Sequence, residues 1–279
     1  MNILSKLILG VAIFAPALAS AGPIYTSFDV RTRSGFTDFT PGAVVGSQTN
    51  GTPAGVTGDF FRTLSWGNSL QSGISVSNRT RAEANNPANS DPILVDSGSP
   101  VVIGRVNHNN NPINGETLDS AILATQLQIR LGGLGTPWSV LDTLFFKIDF
   151  EETLNSSDPC PSSAVNAVGC GDIFAITPIG FSFNESFSIV RNLGGLGDPD
   201  FNYIATLSIQ GLGTLGDAAC EAALGQGSTG CTGLETFEEE NNRFRTFLRI
   251  DSTEVPAPAT LALVGLGLVG LGWKRRKQA

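Results

Sequence analysis

No stretch between residues 22 and 255 keeps a 3.6-residue apolar repeat over a helix's length, which rules out a helical bundle. What recurs is a short β-branched or aromatic run closed by a cluster of Gly, Pro, Asn, Asp or Ser. Such runs cover Tyr25 to Val30, Phe60 to Trp66, Ile74 to Ser77, Val101 to Val106, Ile122 to Leu131, Leu144 to Phe150, Phe181 to Val190, Tyr203 to Ile209 and Phe244 to Ile250. In Leu127-Gln128-Ile129-Arg130-Leu131 the apolar side chains fall on one face and the polar ones on the other, the mark of a half-buried strand. Phe181-Ser182-Phe183 and Phe187-Ser188-Ile189 repeat the pattern. About nine such strands predict an all-β body, a single β-sandwich or jelly roll with Gly-rich turns. Two Ala-bearing stretches, Thr117 to Gln126 and Asp217 to Leu224, are compatible with short helices as well.

Near copies of one turn follow three of the runs: Leu131-Gly132-Gly133-Leu134-Gly135, Leu193-Gly194-Gly195-Leu196-Gly197 and Leu212-Gly213-Thr214-Leu215-Gly216. They read as β-turns and bulges, because Gly reaches positive φ without steric cost. A phosphate loop would end in Lys-Ser/Thr and open a helix, and no copy has that ending. The turn-rich stretches Gly35 to Gly58 and Asn78 to Asp91 read as long surface loops.

The two ends differ from the body. Met1 to Ala21 has a cation at Lys6, a nine-residue apolar run from Leu7 to Ala15, then Pro16 and the small residues Ala19 and Ala21 before Gly22. This is the layout of a secretory signal peptide read by signal peptidase, too short to span a bilayer. At the far end, Val255-Pro256-Ala257-Pro258 leads into an apolar run from Ala259 to Trp273, closed by Lys274-Arg275-Arg276-Lys277. Apolar span, interfacial Trp and basic stop predict a short C-terminal transmembrane helix with its C-terminus inside. Its 15 residues would rise about 22 Å against a hydrocarbon core of about 30 Å, which suits a transient anchor. The predicted organisation is therefore a signal peptide over 1-21, an ectodomain over 22-254 and a sorting tail over 255-279.

With five of the 17 Lys and Arg at the two ends, the middle keeps 12 against 25 acids, a net charge of −13. Such a body repels phosphate backbones and excludes nucleic acid as a partner. An exported chain meets an oxidising compartment, so Cys160, Cys170, Cys220 and Cys231 predict two disulfides with three connectivities open. The local pairs 160–170 and 220–231 are favoured. Each closes a Gly/Ser/Ala-rich loop, for a gain of roughly 2 to 3 kcal/mol. Zinc is disfavoured, since neither spacing is that of a metal knuckle and the chain has one His.

That residue, His108, sits in Asn107-His108-Asn109-Asn110-Asn111-Pro112, read as a polar turn after the strand Val101 to Val106. Catalysis would need a nucleophile and an orienting acid, and no G-x-S-x-G elbow is present. A structural role, with the ring bridging backbone groups across the turn, is the favoured reading. Glu151-Glu152, Asp198-Pro199-Asp200 and Glu238-Glu239-Glu240 offer oxygen ligands for Ca2+, but no D-x-D-x-D-G loop stands behind them. They read as solvated turns. No cofactor and no metal site is predicted. Trp66 and Trp138, the tryptophans outside the tail, are candidates for sugar contact and equally for the core.

The tail, with Pro-x-Pro, a Gly/Leu-rich span and a basic cluster, resembles the PEP-CTERM sorting signal of Gram-negative bacteria, with Ala257 in place of the motif's central Glu. The resemblance implies recognition by an exosortase, which removes the tail at the inner membrane and passes the body to the cell surface or extracellular matrix. His108 and Asn110, with Pro112 beyond and Thr63-Leu64-Ser65-Trp66-Gly67 upstream, resemble the THxN subfamily of such proteins, Asn107 standing for its Thr. That resemblance supplies no catalytic residue. The functional expectation is a non-catalytic surface or matrix protein associated with polysaccharide. A secreted carbohydrate-active hydrolase using a carboxylate pair and a protein-binding adhesin are the alternatives.

Overall fold

A computed structural model describes residues 27–40, 44–48, 56–68, 72–78, 93–131, 137–155, 159–194, 196 and 201–254. The expected signal peptide, the sorting tail with its apolar span, the Asp198-Pro199-Asp200 turn, the glycines of the first Gly-rich turn, and Gly195 and Gly197 of the second lie outside them. Among the described residues no helix is long and apolar enough to cross a membrane.

The body is all-β. In chain order the strands are β1 Ser27–Thr40, β2 Val45–Gln48, β3 Phe61–Trp66, β4 Ser72–Asn78, β5 Ile93–Asp96, β6 Val101–Asn109, β7 Ser120–Leu131 and β8 Ser139–Val140. There follow β9 Leu144–Glu151, β10 Asp172–Ile179, β11 Ser188–Gly194, β12 Phe201–Ile209, β13 Gly213–Thr214, the helix α1 Asp217–Leu224, β14 Thr232–Thr236 and β15 Asn241–Glu254. All belong to one antiparallel sheet in the order β11-β12-β15-β6-β4-β3-β1-β7-β9-β10-β14-β13, with β2, β5 and β8 appended. The expectation of two separate sheets is corrected accordingly. One continuous sheet curls over where β3 meets β1 through the single pairing Phe36↔Phe61, so its halves face each other. Phe28 on β1 meets Tyr203 on β12 edge-on at 5.3 Å, although the two strands are far apart in the sheet.

Alternation decides which face turns inward. Phe201, Tyr203, Ala205 and Leu207 of β12 oppose Leu144, Phe146, Ile148 and Phe150 of β9, all buried in one cluster with side chains of every other major strand. Each such large side chain contributes roughly 1.5 to 3 kcal/mol on burial. Helix α1 covers the outer face of β10, where Ile173, Leu215, Ala219 and Cys220 form a small second core.

Several sequence expectations change. Strand β7 begins at Ser120 and absorbs the Thr117 to Gln126 helix candidate, whereas Asp217 to Leu224 is helical. Phe181 to Phe187 forms a turn, and β11 starts only at Ser188. Gly35 to Gly58 is not one loop, because β1 runs on to Thr40 and β2 follows. The third Gly-rich copy holds β13, and its Gly216 is the N-cap of α1, so it opens a helix after all.

Candidate functional site

His108 lies on β6 and not in a turn, and the strand's alternation sorts its neighbours. Asn107 and Asn109 face outward into a polar groove of 250 Å³ shared with Thr63, Ser65, Ser72 and Ser75. His108 and Asn110 turn inward and are fully buried. The His108 ring stacks on Trp66 with centroids 5.7 Å apart and meets Phe174 edge-on at 4.8 Å. Its Nδ1 is 3.0 Å from Thr236 Oγ1, and that hydroxyl donates in turn to the Asp172 carbonyl at 3.4 Å. Whether Nδ1 or Oγ1 donates between them depends on the tautomer of the ring. Nε2 has no hydrogen-bond partner among the described residues and lies 3.8 Å from Asp172 Oδ2.

Three carboxylates converge beside it. Glu152 follows the end of β9, Asp172 begins β10, and Glu238 sits in the crossing from β14 to β15; one oxygen from each lies within 4.8 Å of the others. Asp172 and Glu238 are fully buried, and Glu152 is half-buried. Burial pushes Asp172 up to about 9, reinforced by Glu152 and Glu238. Burial also pushes Glu152 up to about 7, against the pull of the Trp66 indole N–H, which donates to its Oε2 at 3.2 Å. Glu238 is raised as well, burial again leading, while the amides of Asn155 and Asn110 pull it down. The charges acting on these acids are other carboxylates, and among the described residues no Lys or Arg offsets them. Desolvation alone lowers His108 to about 3, so it stays neutral.

A tight frame holds the group. Thr153 donates from its backbone N–H to Asp172 Oδ1 at 3.1 Å and from Oγ1 to the carbonyls of Cys170 and Gly171. Gly171 leaves no room for a side chain, because a Cβ there would run into the Thr236 carbonyl. Asn166, in the loop that Cys160 and Cys170 close, donates to the Glu238 carbonyl at 2.8 Å. Asn242 clasps Phe237 from both sides, accepting its N–H at 3.0 Å and donating to its carbonyl at 2.9 Å. The backbone N–H of Asn110 donates to Glu240 O at 3.0 Å.

The fold thus brings together His108, Asn110, Trp66, Glu152 and Glu238, which the sequence singles out in four separate places. It leaves Asn107 facing outward and Pro112 half-buried on the irregular segment beyond β6. Solvated turns describe Glu239 and Glu240, both exposed, but not Glu238. Asp172 and Thr236 are missed by sequence reading, having no motif around them. Cys160 pairs with Cys170 and Cys220 with Cys231, each at a Cα–Cα distance of 5.7 Å that fits a disulfide. Trp138 is half-buried under two cations, Arg31 at 4.1 Å and Arg130 at 4.6 Å from its ring, and Arg130 is paired with Asp29 at 2.7 Å. The signal-peptidase residues Ala19, Ala21 and Gly22, and the tail from Val255 to Lys277, lie outside the described residues.

Comparison with curated proteins gives no match. A family model does match the C-terminal segment, and the chain carries over residues 254–277 a PEP-CTERM protein-sorting motif, the mark of an exported protein handled by an exosortase.

Proposed function

We propose that the body is a non-catalytic protein of the cell surface or extracellular matrix that associates with polysaccharide through the outer face of β3, β4 and β6. The observation that carries this reading is the groove itself. Hydroxyls and amides of Thr63, Ser65, Ser75, Asn107 and Asn109 line it, with no charged side chain among its described lining residues; the buried Ser72 hydroxyl at its floor is taken up by the Asn111 backbone. Such a ladder of small donors and acceptors suits the hydroxyls of a neutral polymer, and the acidic body disfavours an anionic one. Signal peptide 1–21, body 22–254 and tail 255–279 give the route: signal peptidase, transient residence in the inner membrane, an exosortase, then the outside. In this reading the His-x-Asn element resembling the THxN subfamily is structural, since His108 and Asn110 point into the core while Asn107 and Asn109 present themselves to the polymer.

The non-catalytic reading is supported by the placement of two of the three acids beside His108: Asp172 and Glu238 are fully buried, so neither presents a carboxylate to a sugar at the surface. The apolar cavity between the sheet halves, about 50 Å³, is far below the roughly 300 Å³ at which ligand pockets begin. Co-sedimentation with the matrix polymer of the producing cell tests the proposal. The protein is expected in the pellet, and replacing Asn107 and Asn109 together by Ala should release most of it. Failure of the unaltered protein to co-sediment removes the binding assignment. Release of reducing ends from that polymer, lost in Glu152→Gln, would replace it with the hydrolase.

A further inference from the structure

We propose that Glu152, Asp172 and Glu238, together with the side-chain carbonyl of Asn110, bind one calcium ion at the end of the sheet core. Three acids in low-polarity surroundings without a base carry a large desolvation cost that only protons or a cation relieve. Two observations independent of the acids point to a cation. Asn110 is fully buried and near enough to the Glu238 carboxylate for its amide to pull that group down, yet among the described residues neither Oδ1 nor Nδ2 completes a well-formed hydrogen bond. A buried amide left so carries an uncompensated desolvation cost, and an ion to which Oδ1 gives a lone pair recovers part of it. His108 Nε2, equally buried, also has no partner beside Asp172.

The donor set selects the metal. Three carboxylates and an amide carbonyl are hard oxygen ligands, those of calcium or magnesium. The carboxylate oxygens all lie within 4.8 Å of one another, close enough for one ion to reach them at about 2.3 to 2.6 Å, and calcium's flexible geometry suits such a set better than the near-ideal octahedron magnesium demands. Glu152 is partly exposed, and Glu151 and Glu239, whose charges act on these acids, add negative potential that attracts cations. The frame is that of a built site: Thr153 orients Asp172, the Trp66 indole orients Glu152, and the Cys160–Cys170 loop holds the backbone of Glu238.

The test is calorimetric titration of the EDTA-stripped full chain with CaCl2, read in parallel by tryptophan fluorescence and by Tm. One equivalent is expected, half-saturating below about 1 mM, the upper end for extracellular modules. At a hundred times that concentration Tm should rise by about 5 to 11 °C. Trp66, bonded to Glu152, should change its emission, and the change should survive Trp138→Phe. Glu152→Gln should weaken calcium at least about tenfold. Asn110→Ala supplies the same readout should that variant fail to fold. Absence of heat and of any Tm shift up to about 10 mM calcium, a far higher concentration than such sites need, overturns the assignment. So does calcium binding that both variants leave unchanged, which places the ion elsewhere. Saturation by Zn2+ with no response to calcium overturns the choice of a hard cation.

Discussion

Removing the two disulfides one at a time should cost the same stability and have unequal effects on the cation site. The loops have nearly equal sequence separations, 10 residues for Cys160–Cys170 and 11 for Cys220–Cys231. Loop-closure entropy then gives about 2.7 and about 2.8 kcal/mol at 25 °C. Each pair has one fully buried member, Cys170 or Cys220, and one half-buried member, so replacing both sulfurs by Ala adds a similar packing loss in the two cases. For a body of this size the entropic part corresponds to a Tm drop of about 5 to 11 °C. The surroundings differ, however. Cys170 is two residues from Asp172, and its carbonyl accepts from the Thr153 hydroxyl, while Asn166 inside the same loop holds Glu238. Cys220 belongs to α1, on the outer face of β10. Urea unfolding of Cys160→Ala/Cys170→Ala and of Cys220→Ala/Cys231→Ala should therefore give losses within about 1 kcal/mol of each other. Calcium titration should show a weakening of about 10- to 100-fold for the first and less than about threefold for the second. Stability losses differing by more than about 2 kcal/mol would refute the entropic account. Equal calcium responses would refute the claim that the 160–170 loop frames the site.

In EDTA the folded Asp172 and Glu152, raised to about 9 and about 7 from ordinary values of 3.8 and 4.5, contribute stability that is fully present below about pH 4 and lost as pH rises through 7 and then 9. Urea unfolding across that range should show this slope, and saturating calcium should flatten it. His108 acts in the opposite sense: its folded value of about 3 lies below the ordinary 6.5, so its contribution is present above pH 6.5 and lost as pH falls toward 3. Between about pH 4.5 and 6.5 the two acids outweigh the one His, so a calcium-free stability maximum near about pH 4 is the expected outcome, and a monotonic profile would contradict it. Gly171→Ala drives a Cβ into the Thr236 carbonyl and should cost more than about 3 kcal/mol or abolish folding; a Tm within about 3 °C of the parent would show that the backbone yields there. Asp29→Asn leaves Arg130 buried beside Trp138 without its counter-charge and should cost about 3 to 5 kcal/mol in the same denaturation assay.

What could be read in the sequence, and what could not, follows from how each segment is buried. β9 and β12 stand out because one face is inside and the other is not, which alternation records directly. β10 is passed over because its first five residues, Asp172 to Ile176, are all buried: the core takes one face, and α1 with Leu215 covers the other. Pro178 deepens the disguise, yet it lies beyond the reach of β14, which pairs only as far as Ala175, so its missing N–H breaks no ladder on that side. Phe181-Ser182-Phe183 misleads in the other direction, for its two rings reach Phe146 from a turn and not from a strand. The acids resist reading for a different reason. A run such as Glu238-Glu239-Glu240 is ordinarily solvated, and nothing local says that the first of the three turns inward. Pairing of β10 with β9 and with β14 sets the three acids side by side, and the curl of the sheet brings that group beneath β6, where the inward pair His108 and Asn110 waits. The sequence features that were legible, the export signals and the disulfides, make that assembly coherent. The export reading and the proposed cation site fit one another: an exported chain keeps the 160–170 loop oxidised, and a site with the Kd of extracellular modules, about 10⁻⁴ to 10⁻³ M, would stay empty at cytosolic calcium levels and fill only beyond them.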